Sequence, residues 1–329
     1  MDEKLRKRFG LENNNDLRDF FGMFNPVDVN LKPPSDLKQV DFSRYYSDIS
    51  IPSNAFINSI GVLEIPGSIY HFTRYISPLR NAESIKDMED FDFPNVDGYL
   101  DSHMKDEVEA AHKNNKVTSC SITHMYETAW QIRGYEEFLM DMVVKPENCE
   151  YILDKICERN IKKAEAAAKA GVDMLITGDD VANQKSMMFS PELWRKFIKP
   201  RWAKVYETAK RIKKDIQIWY HSDGNIEAII PELIEIGVDI LNPVQPECMD
   251  VMKIKKEYGK NIVIDGTIGT QTTMPFGTPA DVRNLVKERK RTLGYDGALI
   301  LSPTHVLEPD VPIENIIAFI EECAGISIL

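Results

Sequence analysis

The apolar positions of this chain fall into short runs that stop abruptly on polar residues. The clearest is Gln217-Ile-Trp-Tyr-His221-Ser-Asp223-Gly224, a β-like run ending on an imidazole, a carboxylate and a glycine. Three more runs have the same form. Val238-Asp-Ile-Leu leads into Asn242-Pro-Val-Gln245-Pro-Glu247, Ile262-Val-Ile into Asp265-Gly-Thr-Ile-Gly-Thr-Gln271, and Ala298-Leu-Ile-Leu into Ser302-Pro-Thr-His305. With residues 117–122, and 172–177 stopping at Gly178-Asp179-Asp180, they predict about six strands. Helical periodicity fills the intervals, notably at 99–114 and at 146–170, the latter closed by Gly171. Ser190-Pro191-Glu192 and Thr278-Pro279-Ala280-Asp281 read as helix starts, each with a capping hydroxyl, Pro at the first helical position and an acid in the first turn.

The alternation predicts an α/β protein. No GxGxxG joins a strand to a helix, and the strand count favours a distorted (β/α)8 TIM barrel over a doubly wound sheet. In a parallel sheet all strand ends of one kind open on one side, so the polar groups above can converge on one pocket. Residues 1–97 read differently. They are rich in Asn, Pro, Ser and Asp, with short β-like pieces at 56–65 and 68–72, and predict an irregular N-terminal cap packed on a barrel spanning 98–329.

Composition narrows the function classes. At 329 residues and 43% hydrophobic content the chain can bury a large core, and its net charge of −12 argues against a phosphate-tracking surface, so nucleic acid is not expected as a partner. Five cysteines without CxxC spacing point to neither a disulfide framework nor a cysteine-only zinc site. The N-terminus carries mixed charges instead of an apolar signal core, and no segment is apolar enough to span a bilayer. A cytoplasmic protein is the expectation.

The candidate catalytic residues are those at the strand ends: His221, Asp223, His305, Asp179 and Asp180. Each has a plain structural alternative. The histidines can be satisfied core residues, Asp223 a turn former before Gly224, and one of Asp179 and Asp180 a helix cap. Glu247 is either a ligand or a solvated loop carboxylate. Tyr126 and Trp130 offer an aromatic substrate wall, although their helical spacing equally suits a core. Gln271 and Asp265 are substrate-side candidates that can also serve only to hold loops.

The series Ser190-Pro-Glu-Leu-Trp-Arg-Lys-Phe-Ile-Lys-Pro, His221-Ser-Asp-Gly-Asn, Asn242-Pro-Val-Gln-Pro-Glu, Phe276-Gly-Thr-Pro-Ala-Asp-Val, Ser302-Pro-Thr-His and Glu308-Pro-Asp-Val-Pro-Ile-Glu-Asn-Ile resembles the uroporphyrinogen decarboxylase superfamily. That resemblance covers most of the chain and implies a distorted (β/α)8 barrel with one of two activities, porphyrinogen decarboxylation or corrinoid-dependent methyl transfer. The early Met-Arg-Gln-Ala-Gly-Arg segment of true decarboxylases, whose arginines hold substrate carboxylates, is missing here. The coenzyme M methyltransferases of the superfamily bind zinc through a His-x-Cys segment and a later cysteine. By position His221 matches that histidine, while Asp223 and His305 replace the two thiolates. The resemblance thus implies a metal site of His221, Asp223 and His305, with Glu247 as a fourth ligand, holding zinc through nitrogen and oxygen.

A donor set of that kind suits an oxygen substrate better than a thiol. The resemblance therefore implies a methyltransferase of the O-demethylase type, moving a methyl group from a methoxylated compound, commonly an aromatic methyl ether, to the Co(I) corrinoid of a separate corrinoid-binding protein. Acid assistance to the leaving oxygen is the chemistry required. It is also compatible with a homodimer. The alternative is a decarboxylase acting on a porphyrinogen or another carboxylated substrate.

Overall fold

The computed structural model describes residues 2–67 and 73–328. Its strands are β1 (Val27–Asp28), β2 (Phe56–Ile57), β3 (Leu63–Ile65), β4 (Arg74–Ile76), β5 (Thr118–Ser121), β6 (Met174–Gly178), β7 (Gln217–His221), β8 (Ile240–Asn242), β9 (Val263–Asp265) and β10 (Leu299–Ile300). Seven of them form one sheet in the order β1-β5-β6-β7-β8-β9-β10, and every pairing in it is parallel. Strictly sequential parallel order is that of a β/α barrel, because a doubly wound sheet reverses its order at a switch point. Among the described residues no ladder joins β10 back to β1, so the barrel is left unclosed there.

All six strands expected from the apolar runs are present. The strand β7 explains how they work, for Ile218 and Tyr220 are fully buried while the alternate Trp219 and His221 are only partly so. The first pair meets the helical layer, where Tyr220 lies edge-on to Trp202 at 6.4 Å. The helix Pro146–Ala170 occupies its expected span and ends on Gly171 in the left-handed conformation, φ 90°. The helix starts at Ser190 and Thr278 are formed as well: the Ser190 hydroxyl accepts from the Leu193 N–H, and Thr278 makes a reciprocal capping box with Asp281. The helix expected at 99–114 is shorter, Met104–Lys113, because Leu100 pairs with Lys32 in an isolated bridge.

Residues 1–97 hold more than a cap. Their strand β1 is the first strand of the parallel sheet, and Leu5, Leu17 and Phe21 pack with Val282, Val286, Ile316 and Phe319 in a second apolar cluster beside the main core. The remainder forms a separate antiparallel sheet, β2-β3-β4, which accounts for the β-like piece at 56–65. The piece read at 68–72 lies outside the described residues. Among the described residues no helix is long and apolar enough to cross a membrane.

Candidate active site at the carboxyl ends of the strands

Register places the candidate residues side by side. Gly178 pairs with His221 and His221 with Asn242, while Leu241 pairs with Ile264, which sets Asn242 level with Asp265. One row across four strands therefore carries a glycine, an imidazole, an amide and a carboxylate at the same height.

Hydrogen bonding along this row orients the imidazole. The Asn242 amide donates to Asp265, whose carboxylate also accepts from the Trp219 indole at 2.8 Å and from the Ser302 hydroxyl at 2.5 Å. With its nitrogen so engaged, Asn242 turns Oδ1 toward His221 Nδ1, 2.8 Å away. An amide oxygen only accepts, so His221 carries a proton on Nδ1, and Nε2 is the nitrogen turned to the site. Trp219 stacks along the ring at 5.8 Å between centroids. Burial pushes the Asp265 carboxyl up, against the pull of Ser302, Trp219 and Asn242. Asp265 thus sits beneath the site as a positioning residue.

Nε2 faces two carboxylates, Asp180 Oδ1 at 3.7 Å and Asp223 Oδ1 at 3.8 Å. One ligand atom from each of Asp180, His221 and Asp223 can be chosen so that all lie within 4.8 Å of one another. The Asp223 N–H donates to Asp180 Oδ1 at 2.8 Å, which ties the two acidic loops together. His305 approaches from the end of β10, its Nε2 3.7 Å from Asp223 Oδ2. Burial raises the Asp223 pKa, His221 and His305 pull it down, and Asp180 and Glu127 push it up; the net direction is upward. Gly224 makes the turn at Asp223 possible. Its φ is +85°, and a Cβ there would meet the Asn183 carbonyl at 2.5 Å.

A second pair, His124 and Glu127, supports the cluster from the loop after β5. Their side chains are in direct contact, and the Glu127 carboxylate accepts the Asp180 backbone N–H. Burial alone would lower the His124 pKa, but Glu127, Asp179 and Asp180 outweigh it and lift it to about 9. His124 is thus a fixed cation beneath an acidic cluster. Asp179 is fully buried and takes no place in the cleft: it accepts the Tyr126 N–H at 2.7 Å and the Trp202 indole N–H at 2.7 Å. Burial pushes its pKa up to about 7, against the pull of His124, Trp202 and Tyr126. Asp179 anchors the helix beginning at Tyr126 and does not contact substrate space.

A cleft of about 500 Å³ opens over the cluster, lined by Asp180, Asp223, Gln245, Gln271, His305 and Glu308 among others. Gln271 reaches across its rim to accept from Gln184 at 2.7 Å. Two expectations need correction. Tyr126 is completely buried between Phe138 and Phe189, and Trp130 packs against Tyr75 and Tyr135, so neither borders the cleft. The ligand group the geometry brings together is Asp180, His221 and Asp223, so Asp180 joins it while Glu247, whose Oε1 accepts from the Thr272 hydroxyl at 2.9 Å, and His305 lie outside it. Sequence reasoning passed over Glu127, which resembles any acid in a first helical turn. Its one available signal was His124, just beyond a strand end.

Comparison with known proteins matches this framework. The pattern of the family described as uroporphyrinogen decarboxylase (URO-D) covers residues 27–326. The chain belongs to that family. Over 185 residues it is 26% identical to a methylcobamide:CoM methyltransferase, MtaA, of Methanosarcina barkeri, an alignment covering 56% of this chain and 51% of that protein. The same enzyme from the Fusaro (DSM 804) strain is 25% identical over 185 residues. The chain thus spans about half the length of the curated relatives it matches. The solved structure of a methyltransferase from Methanosarcina mazei aligns with a TM-score of 0.62 at 16% identity, covering 94% of this chain and 83% of that one, which is a likeness of fold.

Proposed function

We propose that this chain is the methyltransferase of a corrinoid-dependent O-demethylase system, taking a methyl group from a methoxylated compound, with aromatic methyl ethers the first class to test, and delivering it to a separate corrinoid protein. The observation that carries the reading is the convergence of Asp180, His221 and Asp223 at the strand ends without a sulfur ligand. Cys248, the nearby thiol, is held in its neutral form by burial and by Glu247 and Asp223. A borderline divalent ion such as zinc suits one imidazole and two carboxylates, and His221 Nε2 already points between the carboxylates.

When bound, that ion would supply Lewis acidity to the leaving oxygen, and the partner's Co(I) corrinoid the nucleophile that accepts the methyl group. The chain's own residues do the rest. Asp180 and Asp223 border the cleft where the donor oxygen sits, and His221 stands behind them with Nε2 between the two carboxylates. As ligands both carboxylates are ionised, and the burial and mutual repulsion that raise the Asp223 pKa favour a cation between them. His305, on the cleft wall with Nε2 3.7 Å from Asp223 Oδ2, is placed to give a proton to the leaving oxygen. Amides and hydroxyls, including Gln245, Gln271, Thr270 and Thr304, line the walls for the polar part of the donor. Among the described residues the cleft lining holds no Lys or Arg, so a porphyrinogen with several carboxylate arms finds no guanidinium or ammonium partner there.

The test is methyl transfer from guaiacol, veratrole and non-aromatic methyl ethers to cob(I)alamin or a reduced corrinoid protein, followed by the methylcobalamin absorption. Transfer that is lost in His221→Ala supports the reading. A silent donor panel together with CO2 release from uroporphyrinogen would sink it.

A further inference from the structure

A second cavity, of about 510 Å³, lies on the flank of the barrel between the N-terminal segment and the helix Pro146–Ala170. Phe42, Phe93, Ile60 and Tyr99 give it an apolar side, polar and charged residues including Lys38 and Asp92 the other, and Arg159 is among its lining. This arginine is partly buried and stands apart from every ion pair and hydrogen bond found among the described residues. Its Nε is shut off from solvent without an acceptor, which leaves the terminal nitrogens as the donors it can offer to the cavity it lines.

The neighbouring residues on the helix are differently engaged. Asn160 donates to the Thr123 carbonyl at 2.7 Å, Lys162 pairs with Asp97, and Lys163 donates to the Ser121 carbonyl. Arg159 alone in this stretch is left without a protein acceptor. A guanidinium taken partly out of water without a counter-ion is costly, because desolvation is not repaid by attraction. Polar groups that share the cavity do not repay it either. Asp41 is turned to the Ser43 N–H at 2.9 Å, and Asn58 spends its amide on Glu64 and on the Ile60 and Val62 N–H groups.

We propose that this cavity binds a small organic carboxylate, its carboxylate held by the two terminal nitrogens of Arg159 and its hydrocarbon or aryl body against Phe42, Phe93 and Tyr99. The planar fork of arginine matches a carboxylate bidentately. The apolar walls bury the rest of such a ligand. Lys38 also borders the cavity and offsets in part the charge of Asp41 and Asp92, while the faces of Phe42, Phe93 and Tyr99, which phosphate cannot use, set an organic carboxylate above it. The site is separate from the strand-end cleft, with which it shares no lining residue.

Thermal denaturation and calorimetry with benzoate, hexanoate and inorganic phosphate as probes test the assignment on the full chain. Wild type should bind benzoate or hexanoate and melt higher in its presence. Arg159→Gln should weaken that binding by about tenfold or more, and Arg159→Lys, which keeps charge but loses the fork, should weaken it less. The variants' far-UV dichroism and melting without ligand establish that they fold. Three results would overturn the assignment: neither carboxylate binds, Arg159→Gln binds them as well as wild type, or phosphate binds more tightly than either.

Discussion

At the scale of single residues, the site rests on one amide. Asn242 transmits the position of the Asp265 carboxylate to His221 Nδ1, and so fixes which nitrogen faces Asp180 and Asp223. Replacing Asn242 with Leu keeps the volume but frees the imidazole to change tautomer and tilt. Zinc affinity, measured by competition with a chromophoric chelator, should fall roughly ten- to a hundredfold in Asn242→Leu, with the far-UV dichroism unchanged. The central residues were legible in the sequence because His221, Asp223, Asp180 and His305 each follow an apolar run that could only be a buried strand. Tyr126 and Trp130 were not, since helical spacing says that two rings share a face but not whether it meets the cleft or the core. Glu247 was not either, for a related reason: position in a loop fixes no direction, and its Oε1 is engaged by Thr272 outside the ligand group.

At the scale of elements, local chemistry and tertiary ties can be weighed separately. The helix Pro279–Leu293 begins with a complete capping box, in which Thr278 Oγ1 accepts from the Asp281 N–H and the Asp281 carboxylate accepts from the Thr278 N–H. Thr278→Ala should cost about 1 kcal/mol in urea unfolding, with the m-value unchanged. At the opposite end of the barrel from the cleft, Asp173 accepts from the Thr118 N–H and hydroxyl, each at 2.8 Å, and contacts His112 Nε2 at 2.9 Å. Burial raises the Asp173 pKa, but these three partners more than offset it and hold it below the ordinary value. A depressed folded-state pKa means stability that is fully present above the unfolded value and lost as pH falls. Asp173→Asn should therefore be less stable than wild type by about 1–3 kcal/mol at pH 6, and the gap should shrink below about pH 4. A gap that is constant with pH would show that ionisation plays no part in it. Most of the six expected strands were readable as runs of β-branched and apolar residues between turn signals, while β5, Thr118-Ser-Cys-Ser, is framed only by Val117 and Ile122. The strand β1 was not, since two exposed residues, Val27 and Asp28, leave no periodicity and are fixed only by pairing with Thr118 and Ser119.

At the scale of the whole molecule, charge and chain closure matter most. The chain carries a net charge of −12, and Asp180, Asp223, Glu308 and Asp310 all border the cleft, so the donor meets a wall rich in carboxylates. Among ethers of similar shape, an anionic donor should be used less well than a neutral one. With cob(I)alamin as acceptor, kcat/KM for 3-methoxybenzoate should fall about tenfold below that for 3-methoxyphenol, and the difference should narrow as salt rises. Equal use of the two would mean that the cleft field does not reach the donor. The second apolar cluster has a consequence of another kind. Leu5, Leu17 and Phe21 are covered by Val286, Ile316 and Phe319, side chains that lie far along the sequence from them. The Phe9, Phe20 and Phe21 rings also pack on one another within their own segment. Contacts of such sequence separation carry the largest loop-closure cost, so this seam should be the first part of the fold to open and the last to form.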